Sequence, residues 1–400
     1  MYRIICLSIS CLITMNANGQ PVDYIFQSGF EGSSKLIQYN LNGKANPNYA
    51  DIVGMDQGYD WVQDLDKDPN IGSFRIYYEN GDTTKSVARI VPDPMDPDNH
   101  VLHYQIKAPH ITYKKKGIIL QKGRIQVGIN GNPKWRNFSV QQRLFIHPDL
   151  ALLKNTPLPI TWLTLQEFWN NSPAKPFPFR VTVNIRKAAG INKELFFGAH
   201  AQIKANDQWV SIWETIDSTY PVPLGEWFTM KTEFIEGGAE TGKFTVTLTD
   251  SDLRSHIIVD IQGYTHHPDD PNPDGVTNFN PMKLYTSSEL IEGMNDADAC
   301  LCLYWDDFEI RKGPLITAID ENNALKNIHI YPNPVTSILY IESENVPEYV
   351  NIYNGNGQLV RSDTFKGNRT LDVSHLNPGI YFVMVYRSGE TYKTHRFVKQ

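Results

Sequence analysis

Between about Asp23 and Lys312 the chain runs in short segments with apolar residues at every second position, separated by Pro, Gly, Asn and Asp. An extended strand turns successive side chains to opposite faces, so this alternation predicts antiparallel strands with one face in a core. In 123–129, Ile125, Val127 and Ile129 oppose Arg124 and Gln126; in 140–147, Val140, Leu144 and Ile146 oppose Gln141, Arg143, Phe145 and His147. In 162–170, Leu163 and Leu165 oppose Thr164 and Gln166. In 179–186, Phe179, Val181, Val183 and Ile185 oppose Arg180, Thr182, Asn184 and Arg186. His200 and Gln202 oppose the small and apolar residues of 199–203, and Phe244, Val246 and Leu248 point inward from 243–249. Long helical periodicity is nearly absent. The expected fold class is all-β, with two packed antiparallel sheets and some strands offering a polar face to solvent.

The ends follow different patterns. Arg3, an apolar run from Ile4 to Thr14 and small or polar residues to Gln20 predict a cleaved signal peptide over 1–20. That run is too short for a permanent transmembrane helix, and no other segment is long and apolar enough to be one. Cys6 and Cys11 leave with the signal, so Cys300 and Cys302 remain. Two residues apart on a strand, they read as small buried residues rather than a disulfide or a metal pair, because such a bridge is strained. The large domain is expected over 23–313, a linker over 314–327 and a small β domain over 328–400.

The last block carries the most specific motifs: Ile330-Tyr-Pro-Asn-Pro334, Leu339-Tyr-Ile341, Val350-Asn-Ile-Tyr-Asn-Gly-Asn-Gly357, Leu376-Asn-Pro-Gly-Ile-Tyr-Phe-Val-Met-Val385 and Thr394-His-Arg-Phe-Val-Lys399. The block resembles the C-terminal sorting domain of the type IX secretion system of Bacteroidetes. The resemblance implies an immunoglobulin-like β-sandwich, export through the periplasm to the outer-membrane surface or medium, and the type IX machinery as a partner.

Composition narrows the options. Hydrophobic residues at 41% suit a packed core, and a formal charge of −7 gives no footprint for nucleic acid. A local basic surface can still oppose that sign. The polar strand faces are rich in Arg, Gln, Asn and His, which offer directional donors for carboxylates and sugar hydroxyls.

Gly123-Arg-Ile-Gln126, Leu165-Gln-Glu-Phe-Trp169, Leu224-Gly-Glu-Trp-Phe228, Gly242-Lys-Phe-Thr-Val246, Met282-Lys-Leu-Tyr285 and Leu303-Tyr-Trp-Asp-Asp-Phe-Glu-Ile310 follow in order. This series resembles the concanavalin A-like jelly roll of secreted polysaccharide lyases and lectin-like domains. The resemblance implies β-elimination on a uronic-acid glycan, with Arg124, Gln166 and Arg180 binding the carboxylate, His200 as base and Tyr285 as acid. Gln126, Arg143, Trp169, Asn184, Gln202 and Lys283 join Arg180 as substrate-binding candidates. The sequence departs from the family where Gln126 replaces the glutamate of an Arg-x-Glu pair and where Gln166 is not followed by histidine.

Two other functions compete. A glycoside hydrolase needs two carboxylates at short spacing, and Glu167 stands among apolar neighbours. A binding module would use Trp135, Trp169, Trp209 and Trp213 as stacking faces. No cofactor is required and no metal ligands are assigned. A structural calcium is compatible with a secreted jelly roll, but Asp64-x-Asp-x-Asp68 is followed by Pro69 and lacks the late glutamate of a calcium loop. The loop from His266 to Asp274 reads as a surface insertion.

Overall fold

The structure is a computed structural model describing residues 24–41, 44–66, 72–77, 84–115, 117–171, 175–205, 208–312, 329–342, 349–354, 359–364, 370–386 and 393–400. The expected signal peptide and linker lie outside the described residues. The chain forms two compact units that divide between Leu315 and Ile316.

The large unit opens with β1 (Tyr24–Ser28), β2 (Lys35–Leu41), β3 (Lys44–Val53), the short β4 (Met55–Asp56) and β5 (Tyr59–Asp60), and β6 (Gly72–Tyr77). Next come β7 (Ser86–Pro92), β8 (His100–Ile106), β9 (Ile111–Lys115), β10 (Ile118–Trp135) and β11 (Asn137–Ile146). β12 (Ile160–Asn170), β13 (Phe179–Lys187), β14 (Phe196–Ala205) and β15 (Gln208–Pro221) follow. β16 (Trp227–Ile235), β17 (Lys243–Thr249), β18 (Ser255–Gln262), β19 (Val276–Asn280), β20 (Lys283–Ser287), α1 (Ser288–Asp296) and β21 (Cys302–Lys312) complete it.

These strands build an eight-stranded sheet, β18-β17-β16-β11-β21-β8-β7 with β1 beside β21, and an eleven-stranded sheet, β15-β14-β13-β12-β19-β10-β6-β3-β2. β20 also lies between β10 and β12, and β9 pairs with β10. The path alternates between sheets: β10 to β11, β12–β15 to β16–β18, and β19–β20 to β21. Such switching belongs to a jelly-roll sandwich, in agreement with the all-β expectation.

The core holds the apolar rows that the alternation marked. Ile125, Val127, Ile129, Val140, Leu144, Ile146, Val181, Val183, Ile185, Phe244, Val246 and Leu248 are all fully buried. Each such side chain stabilises the fold by about 1.5–3 kcal/mol relative to exposure.

Two expectations are corrected here. The β12–β13 register slips between Thr164 and Gln166, so Leu165 and Gln166 both face the core. Gln166 is fully buried and accepts a hydrogen bond from Thr232 Oγ1 of the opposite sheet at 2.6 Å. Glu167 takes the place on the polar face that the alternation gave to Gln166. The second correction concerns Cys300 and Cys302, which are joined in a disulfide. β21 begins only at Cys302, so Cys300 lies in the preceding loop and is free of the strand geometry assumed for it. Its N–H donates to Asp149 Oδ2 at 2.7 Å.

The small unit has a three-stranded sheet, β22 (His329–Tyr331), β23 (Ile338–Glu342) and β26 (Thr370–Asp372). Its four-stranded sheet holds β24 (Tyr349–Asn354), β25 (Leu359–Thr364), β27 (Gly379–Tyr386) and β28 (Lys393–Lys399). Val335, Leu339, Ile341, Val350, Ile352, Leu371, Val383 and Phe397 form its own core.

Candidate active site

The polar face of the eleven-stranded sheet gathers most of the predicted residues. β10 contributes Arg124 and Gln126, paired in register with Tyr285 and Lys283 of β20. β12 contributes Thr164, Glu167 and Trp169, opposite Asn184, Thr182 and Arg180 of β13. Thr182 and Arg180 pair in turn with His200 and Gln202 of β14. Alternation along each strand and antiparallel register therefore put Arg124, Gln126, Lys283, Tyr285, Trp169, Arg180, Asn184, His200 and Gln202 on one surface.

At its centre lies a buried ion cluster. Glu167 accepts from Lys283 Nζ and, at 3.0 Å, from Arg180 Nη1. Arg180 also donates through Nε and Nη2 to Gln202 Oε1 at 3.1 and 2.9 Å. Burial pushes the Lys283 ammonium down to about 8, against the pull of Glu167. Burial alone would raise the Glu167 carboxyl, but Lys283 and Arg180 outweigh it and hold the group near about 2. Glu167 is thus a fixed anion that orients two cations, and it has no proton to give at neutral pH.

Beside this cluster, Tyr285 is half-buried and ringed by positive charge. Lys122 Nζ donates to Tyr285 Oη at 2.5 Å. The Lys122 and Lys283 ammonium groups lie 4.9 and 5.0 Å from the Tyr285 ring centre, and the Arg124 guanidinium 5.7 Å. The Trp162 ring packs against it at 4.7 Å. Lys122, Arg124, Lys283 and Arg180 face one carboxylate here, a local basic surface on a chain of net negative charge.

Toward β15 the surface becomes aromatic. The Arg180 guanidinium lies 4.1 Å from the Trp209 ring centre, and Trp169 meets Trp209 edge-on at 5.6 Å. Further along, Arg186 Nη2 donates to Glu214 Oε1 at 2.5 Å, and His200 Nδ1 lies 3.9 Å from the same oxygen. Burial pulls the His200 imidazole down, with Glu214 opposing.

Some predicted residues do not converge. Gln166 is in the core. Arg143 belongs to β11 of the other sheet, where it meets Asp306 at 3.5 Å and Asp307 at 3.7 Å and lies over Trp227 at 4.8 Å. Alternation tells which side of a strand is polar, not which sheet the strand joins. His200 and Tyr285 share a face but stand three strand spacings apart, roughly 14 Å. The Asp64 carboxylate accepts the Asp60 N–H at 2.7 Å, and Asp68 lies outside the described residues.

Sequence reasoning missed Lys122, although its place two residues before Arg124 continues the same polar row. It also undervalued Glu167, which only the bulge brings to the surface.

Residues 329–400 match the family model described as secretion system C-terminal sorting domain. The C-terminal unit is that sorting domain. A chain carrying it is exported to the cell surface or the extracellular space, and no described helix is long and apolar enough to cross a membrane. No curated protein matches the chain. Among solved structures, it is similar to the endo-β-1,4-glucuronan lyase of the fungus Trichoderma reesei at 12% identity, covering 62% of this chain and 94% of that one with a TM-score of 0.38. It is similar to a marine alginate lyase from Aplysia kurodai at 9% identity, covering 62% and 92% with a TM-score of 0.37. A carbohydrate-binding module from Bacillus subtilis matches at 8% identity, covering 51% and 89% with a TM-score of 0.19.

Proposed function

We propose that the large unit is an exported polysaccharide lyase that cleaves a uronic-acid-containing glycan by β-elimination. The observation that carries this reading is Tyr285 held by Lys122 and surrounded by Arg124 and Lys283. Elimination requires the uronate carboxylate to be neutralised, so that the C5 proton becomes acidic. Arg124, with Gln126 beside it, offers charged and neutral donors for that carboxylate. Tyr285 takes the C5 proton as the base, and Lys122, which donates to its oxygen, stabilises the negative charge that this role requires. The C5–H electron pair becomes the C4–C5 double bond, the C4–O bond breaks, and the leaving oxygen takes the proton from Tyr285. Arg180, Gln202 and His200, with the Trp169 and Trp209 rings, hold neighbouring sugars, whereas Asn184 is buried and spends its amide on Thr164 and Thr182.

This division of labour moves His200 from base to substrate binding. A base and an acid serving one sugar must both reach adjacent ring carbons, which a separation of roughly 14 Å does not allow. The reaction needs no cofactor, and calcium would serve stability alone.

Hydrolysis fits less well. Glu167 and Glu214 also stand three strands apart, roughly 14 Å, beyond the roughly 5–9.5 Å that paired carboxylates of hydrolases keep. Both are engaged by arginine. A second reading, glycan binding without turnover, is favoured by the Trp169–Trp209–Arg180 stack, a platform for sugar rings.

The test incubates the purified protein with alginate, glucuronan, ulvan and glycosaminoglycans while following the ultraviolet absorbance of the unsaturated product. Wild type is expected to generate it on one polymer class. Tyr285→Phe is expected to lose about 10²–10⁴-fold in rate while still binding that polymer. Binding with no product from wild type on any polymer establishes the second reading instead.

A further inference from the structure

Three donor groups that elimination does not use meet on the outer face of the eight-stranded sheet. His103 of β8 pairs in register with Tyr304 of β21, and their rings stack at 4.6 Å. Cys302, the first residue of β21, lies on the same side of that strand as Tyr304, with Cys300 two residues before it in the loop. The His103 ring nitrogen and the two sulfurs all lie within 4.8 Å of one another. His103 Nε2 is buried and has no hydrogen-bond partner among the described residues.

We infer that His103, Cys300 and Cys302 form a binding site for a thiophilic metal ion, open when the cysteines are thiols and closed when they are joined as in this structure. The donor chemistry selects the ion: two thiolates and a neutral imidazole suit zinc or cuprous copper and reject hard oxygen-seeking cations. Zinc–sulfur and zinc–nitrogen bonds set donors of a tetrahedral ion roughly 3.3–3.8 Å apart, so opening the bridge and small side-chain shifts complete the set. A buried imidazole nitrogen without a partner is unfavourable, and a metal bond would satisfy it. Cys302 is fully buried, whereas Cys300 and His103 are half-buried and give an ion a way in.

Opening uses a low-molecular-weight thiol as reductant. Two thiol molecules are oxidised to their own disulfide, and their two electrons and two protons convert the Cys300–Cys302 bridge to two thiols. A divalent ion then displaces the two thiol protons as it binds. The sequence assigned no metal here because the third donor comes from a strand almost two hundred residues away.

The test reduces the full exported chain under nitrogen and titrates it with zinc against a chromophoric chelator, then substitutes cobalt and reads the thiolate charge-transfer bands. Reduced wild type is expected to bind one equivalent and show those bands, and the unreduced chain neither. Cys300→Ser, at a half-buried position that the fold tolerates better than Cys302, is expected to lose the bands' intensity. His103→Gln is expected to weaken zinc by roughly two orders of magnitude, as loss of one of three protein ligands requires. A reduced wild type that binds no more zinc than Cys300→Ser would leave a disulfide only and overturn the site. So would a His103→Gln chain that binds as wild type does.

Discussion

Glu167 shows how one side chain organises the polar face. Removing its charge would leave the Lys283 ammonium buried without a partner, a cost of about 3–5 kcal/mol. Its role is therefore to hold Lys283 and Arg180 in place, and the proposed elimination leaves proton transfer to Tyr285. Lys122 touches Tyr285 through its hydroxyl, so its contribution should appear in turnover rather than in binding. Lys122→Met is expected to lower kcat by about 10²-fold with KM little changed, and Lys122→Arg to recover part of the loss. Steady-state kinetics on the cleaved polymer check this; a rise in KM at constant kcat would make Lys122 a glycan ligand instead. At this scale the sequence was legible where strands are regular. Arg124, Gln126, Arg180, Asn184, His200 and Gln202 all fell on the face that period-two alternation predicted. Gln166 did not, because a bulge adds one residue and reverses the parity of everything after it, and no local signal in Leu165-Gln166-Glu167 marks it.

Strands pose a different problem, since alternation is blind to the partner sheet. β11 carries Arg143 with the same polar rhythm as β13 carries Arg180, yet the two strands lie in opposite sheets. Arg143 instead serves β21, whose register against β11 shifts next to Asp306 and Asp307. Asp307 there has a φ of 45°, a left-handed conformation that aspartate tolerates. Burial, and then the Asp307 charge, push the Asp306 carboxyl up to about 6, despite donors from Asn99 and Arg143. A carboxyl raised in the folded state favours folding in its protonated form. Its stabilising contribution is complete below the ordinary value of 3.8 and is lost as pH rises through about 6. The penalty at neutral pH is about 3 kcal/mol at most. Thermal melts of wild type are expected to show this loss between pH 4 and 7 as a component that Asp306→Asn removes. Melting curves whose pH dependence is the same for both chains would show that Asp306 does not titrate in that window.

At the scale of the whole chain, the described residues form two compact units, and each completes its own hydrophobic pattern. The structure gives that pattern an energetic meaning. Among the described residues, the large core draws on residues up to Ile310, and the small core on residues from Ile330 onward. A cooperative unit is held by the apolar surface it buries within itself, so two separate cores should unfold as two transitions. Deleting 329–400 is expected to leave the melting temperature of the large unit and its activity on the glycan unchanged. It should also abolish delivery to the cell surface, with the shortened protein recovered from the periplasm. Calorimetry on the full and shortened chains, together with fractionation of the producing cells, reads both effects. If the shortened chain melted markedly lower, the sorting unit would be a structural support for the sandwich, and its removal after export would weaken the unit it delivers. The separate cores argue the other way: each unit holds itself together with apolar side chains of its own strands, so the melting temperature of the large unit is expected to survive the loss of 329–400.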